Sequence, residues 1–280
     1  MAAGARPMLA LAKQIYRSMP LPLRKLGFGT YAWAVREQVR QKDLGGYVAE
    51  LHLSEVMEIG AYLEEFEPDV KALIDRFTPP GGVALDIGAN VGLHALRIAY
   101  RLGSDGRLFA FEPTDFSYRK LRRNVALNPH LNLQPIQIAL SNENAKDIEI
   151  HFRTSWRTDG GRADVASTRV DFLTLDDWAS QNELDRLDLI KIDVDGYEGL
   201  VIEGGLATIS KFKPVFLIEA FEGQFEQDRP EAFLLLESLG YSLYHAKDGE
   251  KVPASEIRDR LRELRTANID SFNVLAKVDS

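Results

Sequence analysis

A chain of 280 residues, 45% hydrophobic and 27% charged, can bury a sizeable core, and its composition is that of a globular protein, not a disordered one. It has no cysteine, which excludes disulfides, thiolate metal sites and cysteine nucleophiles and fits a reducing, cytoplasmic setting. The formal charge of −8 is uneven: residues 1–42 hold eight Lys or Arg against the single acid Glu37, so that stretch carries +7 and the remainder −15.

An acidic body repels phosphate backbones, so no nucleic-acid partner is expected. No apolar run approaches the roughly 18–20 residues that span a bilayer. Lys13 and Arg17 interrupt the short apolar patch around Leu9 to Ala12, so a secretory leader is not expected and the body should be soluble.

Residues 1–45 read as one or two helices, broken at Met19-Pro20-Leu21-Pro22, within a basic extension that runs to residue 53. Apolar residues such as Trp33 mix there with the basic cluster. Such a segment suits a packing or homodimer arm, or an interfacial anchor making peripheral membrane contact. Residues 54–78 read as a helix with Val70, Leu73, Ile74 and Phe77 on one side. Pro79-Pro80-Gly81-Gly82 stops it and opens a core sheet domain over residues 81–280.

Beyond that point strands and helices alternate. Strands are predicted at Val83–Ile87, Arg107–Phe111, Leu133–Leu140, Ile148–Phe152, Leu187–Val194 and Pro214–Ala220, with a terminal pair at Tyr241–His245 and Phe272–Lys277. Helices are predicted at Leu93–Leu102, Phe116–Leu127 and Arg229–Leu239. Near-continuous apolar strands separated by helices indicate an α/β fold, a mostly parallel, doubly wound sheet covered on both faces. Sheets of this kind take ligands beyond the carboxyl ends of their strands, at the switch point.

Asp86-Ile87-Gly88-Ala89-Asn90-Val91-Gly92 follows the first core strand and precedes a helix. Gly88 and Gly92 permit a tight turn and close approach of a ligand. Asp86 opens the motif and Asn90 takes a central place, so the turn suits a cationic or hydrogen-bond-donating group and would repel a pyrophosphate. Glu112-Pro113 ends the second strand, where an acid can accept from both hydroxyls of a ribose. Ser141 follows the third strand, where it would either meet an adenine edge or cap a turn.

Together with Thr174-Leu175-Asp176-Asp177 and Lys191-Ile192-Asp193-Val194-Asp195-Gly196-Tyr197-Glu198, these residues resemble the FkbM-type methyltransferase family from about Glu58 to Ala276. The resemblance implies a class I, Rossmann-like seven-stranded sheet, S-adenosylmethionine as methyl donor, and O-methylation of a sugar, glycan or natural-product hydroxyl. By motif matching, Asp86, Gly88, Asn90 and Gly92 would line the methionine side and Glu112 would hold the ribose. The family commonly has Glu where this chain has Asp195, which keeps the charge and shortens the reach toward substrate. The segment from Tyr62 to Pro68 is expected to fold over the cofactor as a lid.

Asp193 and Glu219 end adjacent strands in this fold, with carboxyls roughly 5 Å apart. Three readings follow: a Mg²⁺ site, a general base whose partner raises its proton affinity, or a structural pair. His245, ending a late strand near the same edge, is a further candidate base. His94, after the glycine turn, would either reach the ligand or pack within its helix. Glu198 would point into the cleft or make a helix-terminal contact. The polar and aromatic stretch His151–Arg169 is read as a loop in which Trp156 stacks on a sugar and Arg157 holds an anionic group, or as a solvated insertion. Two rival functions are a nicotinamide oxidoreductase, which would want G-x-G-x-x-G and Tyr-x-x-x-Lys, and a cofactor-binding scaffold without turnover.

Overall fold

Glycine-punctuated apolar segments of four to seven residues are too short for core helices and are rich in Val, Ile, Leu and Phe. They form strands buried on both sides. The computed structural model describes residues 38–153, 165–221, 231–265 and 271–279, together with Val35. The chain divides into two units, Met1–Phe66 with His151–Ser167 and Glu67–Ile150 with Thr168–Ser280.

In the first unit the helix expected over residues 1–45 gives way, at its end, to an antiparallel hairpin of β1 (Val39–Asp43) and β2 (Val48–His52). The physical reason is the turn between them. Asp43 Oδ1 accepts from the backbone N–H groups of Gly45 and Gly46 at 2.8 and 2.9 Å, and β2 alternates buried and part-buried residues. Residues 1–34, 36 and 37 of the predicted helical extension lie outside the described residues. Helix α1 (Val56–Leu63) ends at Glu64 in the left-handed region. There Lys42 Nζ donates to the Tyr62 carbonyl at 2.8 Å and pairs with Glu64 at 2.7 Å. The single helix predicted over 54–78 is therefore two, the second being α2 (Pro68–Phe77), because Glu64 and Glu67 both take positive φ and Pro68 starts a new first turn.

The second unit is built on seven strands in the order β11-β12-β10-β9-β3-β4-β5. These are β3 (Val83–Ile87), β4 (Arg107–Phe111), β5 (Leu133–Ile136), β9 (Leu189–Ile192), β10 (Val215–Phe221), β11 (Ser242–His245) and β12 (Ser271–Lys277). Every neighbour pair from β10 to β5 is parallel, and β12 runs antiparallel between β10 and β11. All residues of β3 and β9 are buried, so both faces of the sheet's centre are covered. Helices α3 (Leu93–Leu102) and α4 (Asp115–Ala126) make the crossovers between β3, β4 and β5. The chain then returns to place β9 on the other side of β3, which puts the switch point between these two central strands.

The predicted third strand, Leu133–Leu140, is split. Residues Ala139–Ser141 form β6, which pairs in parallel with β8 (Val165–Thr174) in a separate three-stranded sheet completed by β7 (Ala145–Arg153). Strands β7 and β8 thus occupy both ends of the predicted loop His151–Arg169. Trp156 and Arg157 lie outside the described residues.

Thr174-Leu175-Asp176-Asp177 has a structural explanation. Thr174 caps helix α5 (Leu175–Gln181) by accepting from Asp177 N, and Asp176 accepts from Ala207 and Thr208 at the start of α7 (Leu206–Phe212). From α5, Trp178 packs edge-on against Phe109 and Phe111, with ring centroids 4.9 and 5.0 Å away. Helices α6 (Glu198–Glu203), α8 (Ala232–Ser238) and α9 (Ala254–Arg265) complete the unit. No helix among the described residues is long and apolar enough to cross a membrane.

Gly204, between α6 and α7, lies against the end of β6: a Cβ there would stand 2.0 Å from the Ser141 carbonyl oxygen. Backbone cannot yield by that much locally. Gly204→Ala should cost about 3 kcal/mol, read as a lower guanidinium midpoint with unchanged slope.

Candidate active site

The turn after β3 is made by close contact between backbones. Gly88 N and Ala89 N both donate to the Phe111 carbonyl at 2.9 Å, and Asp193 N donates to the Ile87 carbonyl at 3.0 Å. Gly88 has φ +81°, and a Cβ on it would sit 1.9 Å from the Asp193 carbonyl oxygen, so only glycine lets the β3 turn touch the end of β9. Asn90 is itself left-handed, φ 50°, and its N–H donates to Glu112 Oε2 at 2.9 Å. The other oxygen of Glu112 accepts from Thr114 N at 2.8 Å and Thr114 Oγ1 at 2.5 Å. Glu112 therefore locks the glycine turn to the end of β4. Burial pushes its carboxyl up despite these bonds.

Beneath the turn lies a cluster of charge. Asp86 and Lys191 are cross-strand neighbours on β3 and β9, with Lys191 Nζ 3.6 Å from Asp86 Oδ1 and 3.2 Å from Asp193 Oδ2. Burial pulls the ammonium down, but the Asp193 and Asp86 carboxylates outweigh it and hold it well above its usual range. Asp86 is fully buried and neither of its oxygens accepts a hydrogen bond, so burial lifts it despite Lys191.

Ile192 and Ile218 are in register on β9 and β10, which sets Asp193 beside Glu219. The two carboxyls are hydrogen-bonded to each other, and Ser271 donates to Glu219. Burial and the adjacent Asp193 charge push Glu219 up to about 8. Burial also works against an ionised Asp193, but Lys191 and the Glu219 hydrogen bond prevail and hold it below the usual range. At neutral pH Glu219 keeps its proton and Asp193 is ionised.

The structure brings Asp86, Asp193 and Glu219 together and adds Lys191, His94 and Glu67. His94, on the first turn of α3, is buried, and its Nε2 is 2.7 Å from Glu67 Oε2. The signal for Lys191 was present in the sequence, since a lysine inside Leu-Ile-Lys-Ile must find acids once the strand is buried. Glu67 carries no comparable signal. Glu198 makes a contact at the start of its own helix, its Oε1 accepting from Val194 N at 3.1 Å and Gly196 N at 3.3 Å. That bond holds the loop in which the exposed Asp195 adopts φ 52°.

Two predicted residues stand apart. His245 ends β11, separated from β10 by β12, with Nδ1 3.0 Å from Asp248 and its ring against Phe272. Ser141, buried at the end of β6, belongs to the smaller sheet. Pro113 is half-buried between Glu112 and Thr114.

The donor set decides which groups the site can hold. Asp193 is paired with the Lys191 ammonium and hydrogen-bonded to Glu219, whose raised proton affinity works against a carboxylate pair for Mg²⁺, so these residues are a poor fit to that ion. No group of three metal-ligating side chains forms among the described residues. S-adenosylmethionine fits better. Asp86 has two buried oxygens without donors, and Glu112 sits at the end of β4 beside a glycine turn.

A sheet of this order, with its last strand reversed and an acid at the ends of its first two core strands, defines a class I S-adenosylmethionine-dependent methyltransferase. The Methyltransferase FkbM domain matches residues 86–243, more than half of the chain, and the chain belongs to that family. It is similar to the 2-O-methyltransferase NoeI of Sinorhizobium fredii, 29% identical over 178 residues, covering 55% of this chain and 71% of that protein. It also resembles the hexuronic acid methyltransferase AglP of Haloferax volcanii, 26% identical over 166 residues, covering 58% and 66%. A solved FkbM methyltransferase of Methylobacillus flagellatus superposes with a TM-score of 0.41 and 15% identity, over 78% of this chain and 52% of that one.

The Glu219 proton has a consequence for stability. A carboxyl raised from its ordinary 4.5 to about 8 favours the folded state fully below 4.5, and that contribution is lost as pH climbs to about 8. Glu219→Gln, which cannot ionise, should therefore gain on wild type across this window by roughly 1 kcal/mol per pH unit. Thermal melts of both proteins at pH 5 and pH 8 check it, and a constant difference between them would contradict the proton assignment.

Proposed function

We propose that this methyltransferase O-methylates a hydroxyl of a sugar or glycan acceptor, with the Asp193–Glu219 pair receiving the hydroxyl. The observation that carries the reading is the geometry of that pair: the register of β9 and β10 sets Asp193 beside Glu219, with Lys191 Nζ 3.2 Å from Asp193, while burial and the Asp193 charge favour the protonated form of Glu219. The activities of the similar proteins NoeI and AglP, a 2-O-methyltransferase and a hexuronic acid methyltransferase, support the acceptor class.

When bound, S-adenosylmethionine supplies an electrophilic methyl on a sulfonium that leaves without acid assistance. Glu112 accepts from the ribose hydroxyls through the lone pairs left by Asn90 and Thr114. Asp86 would accept from the methionine ammonium, whose N–H groups offer its buried oxygens the donors they lack. Asp193 accepts the proton of the acceptor hydroxyl as the oxygen attacks in line. Glu219 donates to Asp193 and fixes its orientation, and Lys191 keeps Asp193 ionised until the proton arrives. A general base contributes about 10²–10⁴-fold, and holding the two reactants in line supplies much of the rest. The nicotinamide alternative has no support here, because Asp86 at the turn repels a pyrophosphate.

Calorimetry with S-adenosylhomocysteine should show binding that NAD does not displace; binding of NAD alone would overturn the assignment. Glu112→Ala should weaken that binding by about 1.5–3 kcal/mol, and wild-type affinity would remove its ribose role. Asp193→Asn should lower turnover with a labelled methyl donor by about 10²–10⁴-fold while leaving S-adenosylhomocysteine affinity within a few-fold. Loss of affinity without loss of turnover would retire Asp193 as the base.

A further inference from the structure

One residue in the charged cluster comes from outside the family motifs. Glu67 precedes Pro68 at the start of α2 and holds φ 36°, ψ 64°, a left-handed backbone on a residue with a Cβ. Such a conformation costs of the order of a kcal/mol or more, and it persists only where surrounding contacts enforce it. Gly or Asn would adopt it with less strain.

The contact that occupies Glu67 is with His94. Its carboxylate can only accept, so the 2.7 Å bond puts the hydrogen on His94 Nε2. His94 sits two residues after Gly92, and its charge acts on Asp86 and Asp193, whereas that of Glu67 acts on Lys191 and Glu219. Glu67 and His94 thus belong electrically to the cluster on β3, β9 and β10. His94 is 7% exposed and Glu67 38%, so the pair runs from the buried site toward solvent.

We propose that Glu67 is a positioning residue for methyl transfer: through its hydrogen bond it fixes the imidazole of His94 beside the Asp86 and Asp193 carboxylates, and so sets the charge that the acceptor hydroxyl meets. The inference rests on the methyl-transfer reading above. The groups that share this field are Asp86 from β3, Lys191 from β9, Asp193 directly after it, Glu219 from β10 and His94 from α3. Removing the charge of Glu67 leaves Glu219 easier to ionise and frees the ring to turn.

The test combines a measurement that needs no acceptor with one that does. In ¹⁵N-histidine spectra of the ligand-free protein, with His94 assigned by loss of its signals in His94→Gln, the wild type should show the Nε2-protonated ring. Glu67→Gln should loosen that preference and give a measurable fraction of the Nδ1-protonated ring. Identical His94 tautomer populations in the two proteins would overturn the proposal, whatever the substrate proves to be. With a sugar acceptor found using labelled methyl donor, Glu67→Gln should lower kcat at least tenfold and move the pH–rate limb to lower pH. The affinity for S-adenosylhomocysteine should stay within about twofold, and Glu67→Asp should recover part of kcat. Glu67→Gly separates position from scaffold, because relief of the left-handed strain should leave the thermal midpoint unchanged or higher while kcat still falls. A lower midpoint with an unchanged kcat would assign Glu67 to the fold alone. If no acceptor is methylated although S-adenosylhomocysteine binds, the acceptor class is wrong, and the histidine spectra still decide this point.

Discussion

One ammonium group ties the centre of the sheet to its chemistry. Lys191 lies on β9 opposite Asp86 of β3 and two residues before Asp193, so that the strand's two-residue period puts both lysine and aspartate on one face. Its position requires the observed register, because a slip of one residue would send Lys191 to the opposite face and leave Asp86 without a counter-charge. Deleting one partner of a buried ion pair costs about 3–5 kcal/mol. Here a single deletion would strand two carboxylates. Pairing, burial and protonation state are therefore not separable at this point of the molecule.

The glycine turn depends on the same closeness. The carbonyl of Asp193 fills the space where a side chain on Gly88 would be, and this contact brings the end of β9 against the turn after β3. Glu112 binds the far side of the turn through Asn90 N, so the loop is clamped from both neighbouring strands. A preorganised turn costs little to order when a ligand arrives. The opposite applies to Asp86, whose unsatisfied oxygens make the ligand-free site costly to maintain. Stability given up at a site and recovered on binding is the usual cost of preorganisation.

The alternation of apolar strands and helices, the acid-opened glycine turn and the acid after β4 were all legible, because each is a local pattern with a local physical cause. Adjacency of Asp193 and Glu219 was expected only through the strand order that the family resemblance implies. The β1–β2 hairpin was not legible, since its segment alternates too weakly to outweigh a run of basic helix formers, and the Asp43 turn decides it. Nor was the departure of β6 from the main sheet, which is set by pairing with β8 some 30 residues later. The role of Glu67 depends on a helix boundary and a contact 27 residues away, and nothing in the neighbouring sequence reports either. His245 illustrates the converse, a residue at the right edge of the sheet whose side chain the structure engages with Asp248.

The proposed reaction explains why the acids differ in proton state. Methyl transfer moves positive charge from sulfur to the attacking oxygen until that oxygen loses its proton. Carboxylates near the sulfonium bind the donor most strongly before transfer, while the charge is still on sulfur, so they strengthen binding without accelerating the step. A carboxylate at the oxygen gains as the charge develops, and that gain is catalytic. Asp193 suits this place because Lys191 keeps it ionised, whereas a second ionised acid beside it would raise its proton affinity and make it protonated before the acceptor arrived. Retention of the Glu219 proton avoids that competition while still supplying a hydrogen bond. An arrangement of two equivalent carboxylates would bind the donor's positive charge at least as well and would lose this asymmetry, so under the proposed reaction the proton affinity that burial gives Glu219 also serves the chemistry.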